Sequence, residues 1–190
     1  MFNKIIVTAV TALALIASGQ SYASDYLMDS AHSSIKFKIS HLGYSWLFGR
    51  FNDFNGSYSY DENNPAASRA SVEIDTASVD NSHAKRDKHL RSEDFLDVAQ
   101  FPKASFVSTG FEDQGNGKGL LNGNLTLHGV TRPISIEVVP VGAGQDPWGK
   151  YRSGFSGATR LTLSDFGITK NLGPSSTQVE LILDVEGIRQ

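Results

Sequence analysis

The chain has 190 residues, a formal net charge of −3 and no cysteine. The lack of cysteine excludes a disulfide framework, a thiol nucleophile and a thiolate metal site. A surface that follows nucleic-acid phosphates is basic, so the mildly acidic balance argues against nucleic acid as a partner.

The first 23 residues have the pattern of a secretory signal. Lys4 gives a positive start, the apolar run 5–17 is too short to span a bilayer, and residues 21–23 suit a signal peptidase, with cleavage after Ala23. A buried N-terminal helix is the alternative interpretation. The mature residues 24–190 suit one domain with its own core. Since a bacterial lipid anchor needs a cysteine after the cleavage point, we expect a soluble periplasmic protein.

Most of the mature sequence alternates apolar and polar residues with a period of two. In the first clear example, Phe37 and Ile39 face away from Lys36 and Lys38. The alternation recurs near residues 54–60, 70–75, 121–127, 134–138, 155–163 and 179–186. Such alternation predicts strands that are buried on one face and pair antiparallel.

Turn sequences separate these runs. Loops are predicted at residues 61–65, 115–119, 128–133 and 144–150. Residues 82–98 break the alternation and predict one or two short helices, with Ser82 and Ser92 as candidate N-caps. About eight strands with one helical insertion near 82–98 predict an all-β fold, an eight-stranded antiparallel barrel that has no exposed sheet edge.

The polarity of the two strand faces predicts the kind of barrel. Charged residues such as Lys36, Glu73, Glu137, Glu180 and Asp184 alternate with the apolar positions. A membrane barrel is apolar outside and polar inside, so this chain shows the opposite arrangement. We therefore predict a water-soluble barrel with an apolar interior, which is either packed with side chains or holds one ligand.

No sequence motif for catalysis or metal binding stands out. The segment 154–158, GFSGA, lacks the last glycine of a nucleophile elbow, and the glycine-rich segments lack the P-loop and dinucleotide patterns. The five histidines, His32, His41, His83, His89 and His128, do not have the spacing of a zinc helix. We predict no catalytic residue, no metal and no cofactor, and an enzyme acting on a lipid or quinone is the least favoured hypothesis.

One aromatic-rich segment stands out between two predicted strands. His41 lies on the inward face of its strand, where it either bonds a neighbouring backbone group at the barrel rim or donates to a ligand head group. Residues 41–56 then include Tyr44, Trp46 and Phe48. These rings either plug one end of the barrel or form a lip at a ligand entrance.

Five stretches of the mature sequence resemble the YceI-like family of bacterial periplasmic proteins. They are HLGYSWLFG from His41, DKHLRSEDFL from Asp87, LTLHGVTRP from Leu125, DPWG from Asp146 and LGP from Leu172. The family fold is a lipocalin-like antiparallel barrel with a helical insertion. Characterised members bind polyisoprenoids or similar amphiphiles, including quinone-like molecules. The resemblance implies that residues 24–190 form one domain that holds such a lipid non-covalently.

We predict that the ligand lies among the inward-facing side chains. The predicted lining is Phe37, Ile39, Tyr58, Val72, Ile74, Phe106, Leu125, Ile136, Phe155, Leu161, Leu181 and Leu183, with Tyr44, Trp46 and Phe48 at the entrance and His41 at the head group. A transient membrane contact and a homodimer are both compatible with such a carrier. The alternative is a stress-induced interaction protein whose barrel is filled by its own side chains.

Overall fold

The structure is a computed structural model that describes residues 23–190. The predicted signal segment therefore lies, apart from Ala23, outside the described residues. Within the described range, no helix is both long and apolar enough to cross a membrane.

The described residues form eleven strands and one α-helix. The strands are β1 (Ser24–Met28), β2 (Ser34–His41), β3 (Ser45–Phe51), β4 (Phe54–Tyr60), β5 (Arg69–Asp75), β6 (Val79–Asp80), β7 (Lys103–Gly115), β8 (Lys118–Leu127), β9 (Val130–Gln145), β10 (Tyr151–Thr162) and β11 (Gln178–Arg189). The helix is α1 (Ala84–Leu90), and short 3-10 turns cover Pro65–Ala67, Thr76–Ser78, Leu163–Phe166 and Pro174–Ser176.

The strands close into an eight-membered antiparallel ring. Strands β4, β5, β7, β8, β9, β10 and β11 pair in succession, and β1 closes the ring by pairing with both β4 and β11. β1 and β2 lie in line along β11, where Tyr26 is opposite Arg189 and Phe37 is opposite Leu181. β3 pairs with β2 on one side and with β6 on the other. In the wall of the barrel, β3 therefore extends the line of β4, and β6 extends the line of β5. The predicted eight-stranded antiparallel barrel is confirmed.

The barrel has two ends that differ in packing. The open end carries the turns at 61–68, 115–118 and 145–151 together with the start of β1. The closed end carries the turns at 42–44 and 128–129 and the segment 163–177 between β10 and β11. These two names are used below.

The closed half of the barrel contains the buried hydrophobic core. Its core cluster consists of Phe106, Leu125, Ile136, Leu161, Phe166 and Val179. Phe166 reaches this cluster from the 3-10 turn Leu163–Phe166, which ends at Gly167 in the left-handed conformation with φ 75°. Because that turn lies between strands, it can direct a ring into the end of the barrel, and Phe166 is only 2% exposed.

The helical insertion is shorter than predicted and is capped by a different residue. Helix α1 begins after His83, whose ring Nδ1 accepts a hydrogen bond from the Arg86 amide at 3.3 Å. Ser82 is not the cap because it lies one residue too early, in a left-handed conformation with φ 63°. Ser92 does not cap a second helix; its hydroxyl donates to the carbonyl oxygen of His89 at 2.7 Å.

Two predicted loops are two-residue hairpin turns. Asn116 and Gly117 connect β7 to β8, and His128 and Gly129 connect β8 to β9. All four residues have positive φ, which matches the right-handed twist of the flanking strands in tight hairpins. The predicted loop at 128–133 is therefore too long, since β9 already starts at Val130.

Candidate functional site

The open half of the barrel contains an apolar cavity of about 110 Å³. All eight strands of the ring contribute apolar or aromatic side chains, which are Met28, Tyr58, Tyr60, Ala70, Val72, Phe106, Phe111, Leu121, Ile136, Val138, Phe155, Leu183 and Val185. An apolar protein cavity of roughly 150 Å³ stays dry and binds benzene. The cavity therefore suits an apolar group of about five or six carbons.

The floor of the cavity is shared with the closed half. Phe106 and Ile136 line the cavity and also belong to the closed core cluster. Val72 lies opposite Phe106 in the β5–β7 pair, so its side chain points to the same interior. A ligand in the cavity would rest on the packed core and leave towards the open end.

Two tyrosines stand on the cavity wall. The Tyr58 hydroxyl donates to the carbonyl oxygen of Ser153 at 2.7 Å, and the Tyr58 ring stacks on Tyr26 with centroids 4.9 Å apart. Burial raises the pKa of Tyr58 to about 12, against the opposing effect of the Ser153 hydrogen bond. The phenol therefore stays protonated at neutral pH and is a poor general base. Burial also raises the pKa of Tyr60.

The structure brings half of the predicted lining residues to this cavity. They are Tyr58, Val72, Phe106, Ile136, Phe155 and Leu183. Of the rest, Leu125 and Leu161 lie in the closed core, Phe37, Ile39 and Leu181 pack against it, and Ile74 is opposite Phe54 at the closed end of β4. The alternation identified the inward face, but it carries no information on which half of the interior is filled.

Seven of the thirteen side chains named at the cavity are absent from the predicted lining, namely Met28, Tyr60, Ala70, Phe111, Leu121, Val138 and Val185. Phe111 was missed for a local reason. A β-bulge between Ser108 and Gly110 shifts the register of β7 against β8. Phe106 and Phe111 are an odd number of residues apart, so regular alternation would place them on opposite faces of β7. The shift reverses the alternation, and both rings therefore point to the cavity. Gly110 is the sequence signal that could have indicated the bulge, because an isolated glycine inside a strand often marks one.

The predicted aromatic entrance is not at the cavity. Tyr44, Trp46 and Phe48 lie at the closed end, and their exposed fractions are 87%, 59% and 60%. Phe48 is opposite Lys38 in the β2–β3 pair, on the outer face of the barrel. His41 is exposed at the end of β2, also far along the barrel from the cavity. These four side chains form neither a plug nor a lip of the cavity in the structure.

A charged cluster ties the β1–β2 turn to the open end. Arg152 donates to Asp29 and Asp146, both at 2.7 Å, and to Glu186. Asp29, His32 and Glu186 place potential metal-ligand atoms within 4.8 Å of one another, a grouping that histidine spacing alone did not reveal. Arg152 already brings a positive charge to two of these three residues, so the cluster is explained as an ion-pair network.

We expect this cluster to make the fold acid-sensitive. The hydrogen bonds from Arg152 and then His32 lower the pKa of Asp29 from 3.8 to about 2. A carboxyl group whose pKa is lower in the folded state stabilises the fold above its unfolded pKa and loses that contribution as pH falls. The Tm of the protein should fall between pH 3.8 and about 2, and Arg152→Gln should flatten this part of the profile.

Thermal melts followed by circular dichroism across this pH range measure the effect. Arg160→Gln is the matched control, because Arg160 is 64% exposed and its distance to Glu180 is 3.6 Å. Equal slopes for Arg152→Gln and the wild-type protein would show that other carboxylates control the acid response.

The chain is similar to known proteins over nearly all of its described length. A family model described as a YceI-like domain matches residues 26–187. A UPF0312 protein of Shewanella sp. strain ANA-3 is 52% identical over 190 residues, which cover 99% of this chain and 100% of the relative.

Solved structures share the barrel. A Campylobacter jejuni YceI protein superposes with a TM-score of 0.72 at 25% identity, covering 96% of this chain and 99% of the other. Burkholderia cenocepacia BcnA gives a TM-score of 0.76 at 22% identity, covering 84% and 98%. A polyisoprenoid binding domain from Saccharophagus degradans gives 0.64 at 17% identity, covering 89% and 100%. At the two lower identities the likeness shows the fold alone.

Proposed function

Because the chain belongs to the YceI-like domain family, we propose that it binds and carries a long-chain lipid in the open half of its barrel. The observation that carries the proposal is the cavity, to which all eight strands of the ring contribute mainly apolar side chains. The proposed cargo is a polyisoprenoid or a quinone-like amphiphile. In support, the Saccharophagus degradans protein with the same fold is a polyisoprenoid binding domain.

The volume of the cavity determines how such a chain would bind. A cavity of 110 Å³ suits about one prenyl unit, or about five carbons. Burying five methylene-sized groups contributes about 4 kcal/mol, which corresponds to a Kd of about 1 mM. Tighter binding requires more of the chain to be buried. We therefore expect a longer chain to displace side chains at the open end while the closed core stays packed.

The same proposal includes a non-catalytic role in the periplasm. The high pKa of Tyr58 supports binding over acid–base chemistry. The signal pattern of residues 1–23 supports export. Cargo exchange would need a transient membrane contact, and a homodimer is compatible with it.

Filling the cavity tests the proposal. We expect Val72→Phe to weaken the binding of geranylgeraniol, a C20 prenyl alcohol, by at least about tenfold, a change of about 1.4 kcal/mol. Val72 lines the cavity, whereas Val107 lies on the neighbouring strand β7, opposite Ser71, and is 53% exposed. Val107→Phe is therefore the matched control and should bind like the wild-type protein.

The measurement is titration of delipidated protein, with native mass spectrometry to confirm the stoichiometry. If wild-type protein and both variants bind equally, the cavity is not the lipid site. If the wild-type protein binds neither geranylgeraniol nor a longer prenylquinone, the carrier function itself is wrong.

A surface interaction is the second candidate function, and one observation favours it. Trp46 and Phe48 expose large rings on the outer face of β3, where they contribute nothing to the core. Exposed aromatic rings close together are typical of contact surfaces. This candidate gains support if the wild-type barrel takes up no lipid.

A further inference from the structure

Four exposed apolar side chains lie at the closed end of the barrel, on β3 and in the turn before it. Trp46 and Phe48 are successive residues of the outer face of β3, and Leu42 and Tyr44 lie in the turn that leads into the strand. Leu42 is 51% exposed. These four residues are called the aromatic face below. Exposed apolar side chains that lie together mark a contact surface.

The turn at the aromatic face loses stability by exposing a leucine. The Tyr44 amide donates to the carbonyl oxygen of His41 at 2.9 Å, and Leu42 and Gly43 have φ of 54° and 82°. Asparagine followed by glycine is the usual sequence of such a turn, because a leucine side chain is crowded at positive φ. Leu42 is therefore unfavourable both for its backbone conformation and for its exposure. A contact with an apolar partner would offset both costs.

Lysine side chains flank the aromatic face on two sides. On β2, the Lys38 ammonium lies 5.3 Å from the ring centroid of Trp46, and the same residue is opposite Phe48. On the other side of β3 lies β6, and α1 packs beside β6. Lys85 and Lys88 are exposed on α1, and neither forms an ion pair with another residue of the described range 23–190.

The charge of this region is opposite to that of the whole chain, which carries a net charge of −3. The cations that frame the aromatic face outnumber the carboxylates of the neighbouring strands. The cations are Lys36, Lys38, Arg50, Lys85 and Lys88, and the carboxylates are Asp80, Glu180 and Asp184. Two copies of the chain that met through this face would bring like charges together, which argues against self-association. The face instead complements a partner that is both apolar and negatively charged.

A bilayer surface that contains anionic lipid has both properties. Tryptophan and tyrosine rings are enriched at the level of the lipid head groups. A lysine stem lies along apolar surface while its ammonium group reaches water or phosphate, as the position of Lys38 beside the two rings allows. Each lysine near an anionic bilayer strengthens binding by about fivefold.

We propose that the aromatic face docks the protein on the surface of a bilayer that contains anionic phospholipid. Its four side chains enter the head-group layer, and the lysines of β2 and α1 contact the lipid phosphates. The proposal goes beyond the carrier function and does not depend on it, because none of the residues that line the cavity belongs to this face.

Flotation with vesicles of about two parts phosphatidylcholine to one part phosphatidylglycerol tests the proposal. The measurement uses exported protein whose mass corresponds to residues 24–190, because the apolar run 5–17 of the precursor would bind lipid by itself. We expect the wild-type protein to bind these vesicles at least about tenfold more tightly than vesicles of phosphatidylcholine alone, and to lose most of this advantage in about 0.5 M salt.

Removal of both rings tests the apolar part of the contact. The double variant Trp46→Ala, Phe48→Ala should weaken vesicle binding by at least about tenfold. Trp148→Ala is the matched control, because Trp148 is 81% exposed but lies in a turn at the open end. This control should bind vesicles like the wild-type protein.

Removal of two lysines tests the charge. The double variant Lys85→Gln, Lys88→Gln should weaken binding to the anionic vesicles by at least about tenfold and leave binding to phosphatidylcholine unchanged. The double variant Lys118→Gln, Lys150→Gln changes the net charge equally at two exposed positions of the open end, and should have no effect.

Leu42→Asn separates the contact from the stability of the fold. Asparagine suits the positive φ of this position, so the urea midpoint of unfolding should not fall. Binding to the anionic vesicles should nevertheless weaken by about threefold, because an apolar side chain is lost from the face.

Several outcomes would overturn the proposal. They are an absence of vesicle binding by the wild-type protein, equal binding to anionic and neutral vesicles, and equal binding by the wild-type protein and the double ring variant. A dimer of the wild-type protein that the double ring variant abolishes would also overturn it, because a second copy would then occupy the face. Val72→Phe should not change vesicle binding, so a failure of the carrier function in the cavity leaves this test intact.

Discussion

Replacing Phe166 with alanine is expected to lower the free energy of unfolding by about 3–5 kcal/mol. The ring is 2% exposed and packs in the closed core with Phe106, Leu161 and Val179. The replacement removes these apolar contacts and leaves a void. The surrounding strands are held by ladder hydrogen bonds, so they can close only part of that void. Urea unfolding of the wild-type protein and the variant at neutral pH measures the difference.

Phe48→Ala is the matched control for this prediction. This variant also removes one phenylalanine ring, but Phe48 is 60% exposed on the outer face of β3. The free energy of unfolding should therefore change by no more than about 0.5 kcal/mol. A loss below about 1 kcal/mol for Phe166→Ala would contradict the close packing of Phe166 in the core cluster.

Adding one methyl group at Gly123 is expected to destabilise the protein by about 1–3 kcal/mol and to weaken lipid binding. A Cβ atom at this position of β8 would lie 2.6 Å from the backbone oxygen of Val107 and would overlap the ring of Phe106. The backbone oxygen belongs to the β7–β8 ladder and cannot move freely, so the Phe106 ring must shift. Since Phe106 belongs to both the closed core and the cavity floor, one displacement affects both properties.

Gly142→Ala separates this effect from a general preference for glycine. Gly142 lies in β9, and a Cβ atom there would meet nothing within 4 Å. The change should be neutral or stabilise the protein slightly, by about 0.5 kcal/mol. Urea unfolding and geranylgeraniol titration of the two alanine variants provide the comparison. Equal losses of stability would mean that the contact with Phe106 is not the cause.

Much of the barrel could be predicted because its main signal is local. Successive side chains of a strand point to opposite faces, so Phe37 and Ile39 share one face whichever strands pair with theirs. Their apolar character then predicts that this face points inward. The resemblance to the YceI-like family predicted the same barrel fold. The N-cap of α1 differs from the prediction because His83 is not among the residue types that usually cap helices. Two hairpin turns are shorter than predicted because positive φ at both central residues allows a two-residue turn.

The candidate site was harder to predict than the fold. Trp46 and Phe48 were assigned to an entrance because aromatic residues are dense there, but the β2–β3 register places both rings outside. Phe111 was missed because a bulge reverses the alternation before it. Both errors concern the direction of a side chain relative to strands that are paired over long distances in the sequence.

The sequence by itself determined the all-β class, the closed antiparallel ring and the apolar interior, because these follow from the two-residue period and the polarity of each face. Only the tertiary structure decided which half of that interior is hollow. Phe166 fills the closed half from a turn outside the strands, and Phe106 and Ile136 meet beneath the cavity although they are distant in sequence. Such packing depends on volumes contributed by remote segments, and no local pattern carries that information.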